Sequence, residues 1–318
     1  MVGRKTLVLV DMGSLVSQWQ EAFQIVWNKT VHILDKDTDT FGDVTIATFQ
    51  FLHRNPDLVR KIKEEFGMVL VDEFHTAAAG TYRNVLFRLN NKYRIGTSAT
   101  VMRKGFTNEV LTDLIADVSV EMIDEHALVP SVVFVPTRVQ FEYDTPDMFT
   151  KICSGLADSD IRNGIIIELV REAVLLKRRI LVIGITIAQL KYIHVVLSKF
   201  CRSVLYCGTT SMIQDRKLRS DLAAGLIDVI LTVKKADKGL DLPMLDTLVL
   251  AKPSNNEAAI IQLVGRIVRP VVGKPTPVVY DLADSGKLAG TFARNRMRWY
   301  KKQKYSLGAE DYFFVDNR

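Results

Sequence analysis

Short, mostly apolar runs rich in β-branched residues recur at residues 6–10, 44–47, 68–71 and 93–96, separated by stretches in which apolar positions return every three or four residues. The runs predict buried strands and the intervening periodicity predicts amphipathic helices. A second series follows at residues 132–135, 180–184, 203–206, 229–232, 247–250 and 277–280. Strands that alternate with helices of about 10 to 15 residues predict α/β architecture, with parallel sheets and right-handed crossovers. Two helix starts carry the capping-box pattern, Ser211 with Gln214 and Ser254 with Glu257. The charged and apolar stretch at residues 117–130 ends in Pro130 and predicts a hinge, with a boundary near Val118. The expected division is residues 1–118, residues 119–285, and a basic C-terminal helix and tail at residues 286–318.

The length of 318 residues, with 48% hydrophobic and 25% charged content, suits about two globular domains. A formal charge of +6 adds a mild preference for a polyanionic partner. The cysteines, Cys153, Cys201 and Cys207, are too few and wrongly spaced for a disulfide framework or zinc site. The longest apolar runs, such as residues 180–185, fall far short of the roughly 20 residues of a membrane span. With no signal-peptide pattern before the first predicted strand, the expected location is the cytoplasm, that of the host for a viral source.

Four segments carry candidate chemistry. Residues 69–75 read VLVDEFH, a hydrophobic strand ending in Asp72, Glu73 and His75. Strand ends in open α/β sheets face the ligand crevice, where one acid can hold Mg²⁺ through its waters and its neighbour can polarise an attacking water. The competing reading is a solvated acidic turn. Residues 93–100, YRIGTSAT, form a strand running into small hydroxyl residues, which would either contact His75 or make an ordinary turn. Residues 262–269, QLVGRIVR, place Gln262, Arg266 and Arg269 at helical offsets of four and three, either a guanidinium clamp for a phosphoryl group or a plain basic helix face. Residues 231–243 run from a strand end containing Thr232 into a Lys-rich loop closed by Gly239, Asp241 and Pro243, suited to nucleic-acid phosphates or simply to solvent.

The order DEFH, GTSAT, TVKKADKGLDLP and QLVGRIVR resembles motifs II, III, V and VI of the superfamily 2 helicases of DEAD/DEAH type. Residues 6–10 through Gln18 and Trp19 are similar to motif Ia, residues 46–50 to motif Ib and residues 180–184 to motif IV, and the nearest style is the DNA helicase group that contains the phage annealing helicase UvsW. The resemblance implies two RecA-like parallel-sheet lobes, with ATP and Mg²⁺ as cofactors and DNA or RNA as partner. By position, Asp72 would bind Mg²⁺, Glu73 would be the catalytic base and metal neighbour, and His75 would couple to Gln262. Arg266 and Arg269 would meet the γ-phosphate, Gly239 and Asp241 would support the nucleotide, and Thr48, Thr232 and Lys235 would touch the nucleic-acid backbone.

The family pattern begins with a phosphate-binding loop, G-x-x-x-x-G-K-[ST], and no such segment occurs in the sequence. Gly3-Arg4-Lys5-Thr6 lacks the first glycine and leads into a strand, and Gly273-Lys274 is followed by proline. The expectation is a first lobe truncated at its N-terminus, lacking one strand, the loop and its helix, and therefore an unpaired sheet edge open to another polypeptide. Asp11-Met12 stands where the family usually has Pro-Thr, and a carboxylate there would repel a nucleic-acid phosphate unless paired with a cation. Residues 294–304 carry Trp299 and Tyr300 among basic residues, a candidate strand-binding surface or a solvated helix. The functions that follow are an ATP-dependent helicase or annealing translocase whose loop comes from a partner polypeptide or a longer gene product, and an ATPase-dead binding protein. A metal-dependent nuclease built on Asp72 and Glu73 is the third.

Overall fold

The computed structural model describes residues 5–27, 31–38, 40–74, 80–89, 91–98, 113–115, 120, 126–140, 145–206, 212–233 and 242–308. The chain divides into two compact units, Met1–Ile123 and Asp124–Arg318. Each is built on a parallel sheet.

The first unit contains strands β1 (Thr6–Val10), β2 (His32–Leu34), β3 (Val44–Thr48), β4 (Met68–Val71) and β5 (Tyr93–Gly96) in the order β2-β3-β1-β4-β5. Alternate side chains divide its core. Leu7, Leu9, Val69 and Val71 pack under α2 (Phe49–Arg54), α3 (Pro56–Glu65) and α4 (Gly80–Leu89). Val8, Val10 and Ile46 pack under α1 (Gly13–Trp27) through Leu15, Val16, Trp19 and Phe23. The helices that carry the chain from β3 to β4 and from β4 to β5 share one face, and α1, which carries it the other way, takes the opposite face. That division is what right-handed crossovers require.

β5 is an edge strand among the described residues. Its register, Met68↔Tyr93 and Leu70↔Ile95, places Tyr93 and Ile95 on the α1 side of the sheet. They remain 37% and 44% exposed, although parallel sheets are ordinarily covered on both faces.

The second unit contains β6 (Ser131–Pro136), β7 (Ile180–Ile183), β8 (Ser203–Leu205), β9 (Val229–Thr232), β10 (Thr247–Leu250), β11 (Val278–Ala283) and β12 (Ser306–Leu307), in the order β12-β6-β11-β10-β7-β9-β8. Its helices are α5 (Phe149–Asp158), α6 (Asp160–Leu175), α7 (Ile187–Leu197), α8 (Met212–Ala223), α9 (Glu257–Gly265) and α10 (Lys287–Lys302). The short strands β2 and β12 have too few residues to show a period and were not expected.

Three helix expectations change. The Ser254–Glu257 capping box is replaced by Asn256, whose side chain accepts from Ala259 N at 3.2 Å, while Ser254 Oγ accepts from Asn256 N and shapes the turn before it. Ser211 lies outside the described residues. The helix expected through Arg269 ends at Gly265, with Arg266 as its C-cap, so helical spacing does not carry the alignment to Arg269. Pro270 disfavours helical geometry at residue 269, which agrees with that early stop. Nor is the C-terminal helix simply solvated: Arg296 and Tyr300 of α10 are buried, which takes Tyr300 out of the candidate stacking surface.

These two residues hold Asp281 of β11. Arg296 donates to both carboxylate oxygens, at 2.7 Å from Nη2 to Oδ1 and 2.8 Å from Nε to Oδ2, and Tyr300 OH donates to Oδ2 at 2.9 Å. A second buried pair joins Arg162 Nε of α6 to Asp284 at 2.8 Å, and Thr137 Oγ1 donates to the same oxygen at 2.7 Å. Removing one member of such a pair leaves an uncompensated buried charge. Arg296→Met is therefore expected to cost the second unit about 3–5 kcal/mol in urea unfolding; a loss under about 1 kcal/mol would show the pair to be dispensable.

Candidate functional site

β4 ends by delivering Asp72 and Glu73 to the carboxyl edge of the first sheet, and backbone hydrogen bonds fix that end from both sides. Asp72 N donates to Leu9 O at 3.0 Å, Thr97 N to Val71 O at 2.9 Å and Phe74 N to Thr97 O at 2.9 Å. The acidic turn and the hydroxyl-rich loop after β5 are thus one hydrogen-bonded unit. Phe74 is buried beneath Gly96, where an added Cβ would lie 2.7 Å from the ring. Glycine is required there by contact, because any side chain must displace the aromatic ring.

The Asp72 carboxylate is oriented by donors from three places. Glu73 N donates to Oδ1 at 2.9 Å, and Trp19 Nε1 of α1 donates to Oδ2 at 2.8 Å. Thr97 Oγ1 lies 3.3 Å from Oδ1 and 3.5 Å from Val71 O, so its single proton is shared between them. Glu73 has φ of 48°, a left-handed conformation that costs a non-glycine residue energy and is found at functional turns. Hard oxygen donors at the end of a strand suit Mg²⁺ held through waters and phosphate oxygens. No group of three or more His, Cys, Asp or Glu with metal-site geometry occurs among the described residues. His75 lies outside the described residues.

Asp11, expected to repel nucleic acid, is turned inward. It is 7% exposed at the end of β1 and accepts from Tyr82 OH of α4 and, at 3.2 Å, from Gln50 Nε2 of α2. Burial raises the Tyr82 pKa, keeping the phenol protonated as a donor. The carboxylate joins β1 to two helices where proline would only end the strand. Thr48 caps α2, its hydroxyl accepting from Phe51 N at 3.2 Å.

In the second unit Thr232 ends β9, is 1% exposed, and has no hydrogen-bond partner for its hydroxyl among the described residues. Lys235, Gly239 and Asp241 lie outside the described residues. Gln262, Arg266 and Arg269 are half-buried, and burial lowers the Arg269 pKa. The backbone of Arg269 is held by a residue that motif reasoning had set aside. Lys274 Nζ donates to Arg269 O at 2.9 Å and to Pro243 O at 2.8 Å, tying the arginine segment to the end of the loop after β9. Burial pushes the Lys274 pKa down to about 8; Asp246 opposes this, and the nearby Arg269 adds a smaller lowering. Two backbone carbonyls converging on one amine are the signal, and they are visible only after folding.

Residues 2–103 match the family model described as "Type III restriction enzyme, res subunit", and residues 163–271 match "Helicase conserved C-terminal domain". "Probable helicase D10" of Escherichia phage T5 is 25% identical over 311 residues, covering 94% of this chain and 66% of its own length. The chain belongs to the superfamily 2 helicases. It thus spans just under two thirds of this longer relative. Two solved structures of helicase neighbours share the RecA-like α/β fold with this superfamily 2 chain. The S. cerevisiae Dbp5 L327V structure bound to RNA and ADP BeF3 has TM-score 0.69 at 13% identity, covering 96% of this chain and 78% of that one. "DUF1998 helicase MrfA bound to DNA and AMPPNP" has TM-score 0.69 at 16% identity, covering 98% and 46%. No helix among the described residues is long and apolar enough to cross a membrane.

Two measurements check this geometry. Gly96→Ala is expected to lower the stability of the first unit by about 1–3 kcal/mol in urea through the overpacked Phe74; an unchanged midpoint would mean that the ring shifts freely. Because the folded pKa of Lys274 lies below the ordinary lysine value, the unfolded chain binds more protons above pH 8 or so, and this residue makes stability rise with pH there. Between pH 8 and about 9.5, before tyrosine ionisation intervenes, the native protein should gain thermal stability relative to Lys274→Met. Parallel melting curves for the two proteins would contradict it.

Proposed function

We propose that this chain is the larger part of an ATP-dependent nucleic-acid motor, a DNA helicase or annealing translocase, whose phosphate-binding loop comes from a segment outside these residues, in a partner polypeptide or a longer gene product. The observation that carries this reading is the joined turn after β4 and loop after β5, where Asp72 is held by Trp19, Thr97 and Glu73 N. In this reading Asp72 holds Mg²⁺ and Glu73 takes a proton from the attacking water. Arg266 and Arg269 act on the transferring phosphoryl group, His75 couples to Gln262, and Gly239 and Asp241 support the nucleotide. When bound, Mg²⁺·ATP supplies the polarised γ-phosphate whose hydrolysis drives movement. Thr48, Thr232 and Lys235 are the proposed contacts to the nucleic-acid backbone. The cytoplasm, that of the host for a viral source, is the proposed location.

The open edge of β5 supports a separate phosphate-loop segment. A parallel strand added there would end beside Thr97, with β5 between it and the strand that carries Asp72. If it continued toward β1 by a right-handed crossover, its helix would fall on the α1 side of the sheet. That side is where Tyr93 and Ile95 are exposed and Met68 and Leu70 are only partly buried.

The expected outcome is no nucleic-acid-stimulated ATP hydrolysis by these 318 residues alone and its appearance when a strand–loop–helix segment bearing G-x-x-x-x-G-K-[ST] is supplied. Glu73→Gln should then reduce hydrolysis by about 10²-fold or more. An inactive complex that binds nucleic acid in a salt-sensitive manner, indifferent to ATP and to Arg269→Ala, would instead identify an ATPase-dead binding protein. Magnesium-dependent cleavage of nucleic acid by the chain alone would identify a nuclease.

A further inference from the structure

Trp19 lies 53 positions before Asp72 in the sequence, yet its indole Nε1 is 2.8 Å from Asp72 Oδ2. The ring is anchored on the α1 side of the first sheet with Val8, Val10, Leu15 and Ile46, and Phe23 packs against it with ring centroids 5.7 Å apart. An indole N–H donates and has no acceptor, so it can satisfy only a carboxylate lone pair. It is also uncharged. A lysine or arginine here would neutralise the acid and compete with any cation, whereas the indole holds the carboxylate and leaves its charge in place.

Asp72 otherwise turns about a side-chain torsion with broad, roughly two-fold preferences. Glu73 N at 2.9 Å and the shared Thr97 hydroxyl at 3.3 Å both act on Oδ1. Among the described residues Trp19 donates to the other oxygen, and with it the carboxylate plane is fixed at both ends. We infer that Trp19 is a positioning residue for Asp72, one that presets the carboxylate for a hard divalent cation and whose indole senses occupancy of that carboxylate. The inference rests on reading Asp72 as the magnesium-binding acid. Partners that orient a metal-binding group typically change metal affinity by about 10- to 100-fold when removed.

The test uses the full chain and Mn²⁺ as the probe, with bound ion measured from loss of the free-ion electron paramagnetic resonance signal. Trp19→Phe keeps an aromatic ring and removes the donor, and it is expected to weaken Mn²⁺ binding by about 10- to 100-fold with little change in the thermal midpoint. Asp72→Asn should abolish binding. A second measurement retains Trp19 as the sole indole by replacing Trp27 and Trp299 with phenylalanine. Mg²⁺ should shift the Trp19 emission at matched ionic strength, and Asp72→Asn should remove that response. Binding lost in Asp72→Asn but unchanged in Trp19→Phe, or an emission that ignores Mg²⁺, would overturn the positioning role. Binding unaffected by Asp72→Asn would overturn the magnesium assignment itself, and absence of Mn²⁺ binding in the unmodified chain would overturn the cation site.

Discussion

Every paired strand in both sheets runs parallel to its neighbours, so all strands of a sheet end on the same edge. This constraint gathers residues far apart in sequence. Asp11, Thr48, Asp72 and Thr97 come from four strand ends, where the ladder satisfies the backbone and leaves the side chains to bond with the helices and turns beside them. Parallel pairing also obliges each connection to return across a face of the sheet, and this is how α1 brings Trp19 back over the end of β4. The same rule separates the covered part of the first sheet from the exposed strip at Tyr93 and Ile95.

The two units use polar interactions differently. In the second unit, Asp281 and Asp284 lie inside the protein and are neutralised by Arg296 and Arg162, arrangements that fix α10 and α6 against the sheet. Such pairs are costly to bury but still more costly to break, so they favour a single arrangement of those helices. In the first unit, Asp72 is oriented by neutral donors, and no ion pair among those described engages its carboxylate. A carboxylate held in this way retains its charge for a ligand. The contrast separates acids that complete a core from one suited to chemistry.

Much of this organisation is legible in the sequence because buried parallel strands carry a dense local signal. Residues 6–10, 68–71, 93–96, 229–232 and 247–250 form strands with the expected bounds. The two-residue strand β12 and three-residue β2 offered too short a pattern. The segment 262–269 shows a different limit: helical spacing there is compatible with a shared face, but Gly265 and Pro270 flank the point where the helix stops. Motif spacing alone also could not reveal that Asp11 is buried beneath Tyr82 and Gln50, or that Lys274 would find two carbonyls. Those contacts join segments brought together only by the complete fold.

The strain at Glu73 and the small clearance at Gly96 belong to one arrangement. Phe74 must turn inward beneath Gly96, while the preceding carboxylate remains at the strand end, and the left-handed backbone at Glu73 makes that reversal within a single residue. The Phe74 N to Thr97 O hydrogen bond then locks the result to β5. A displacement of the loop after β5 would therefore act on the acidic turn directly, through one hydrogen bond and one packed ring, without passing through the sheet. Trp19 approaches from α1 and opposes such a shift by holding Asp72 Oδ2. The acid thus lies between the turn at Thr97 and a helix packed on the core, and its two carboxylate oxygens are held from these two sides.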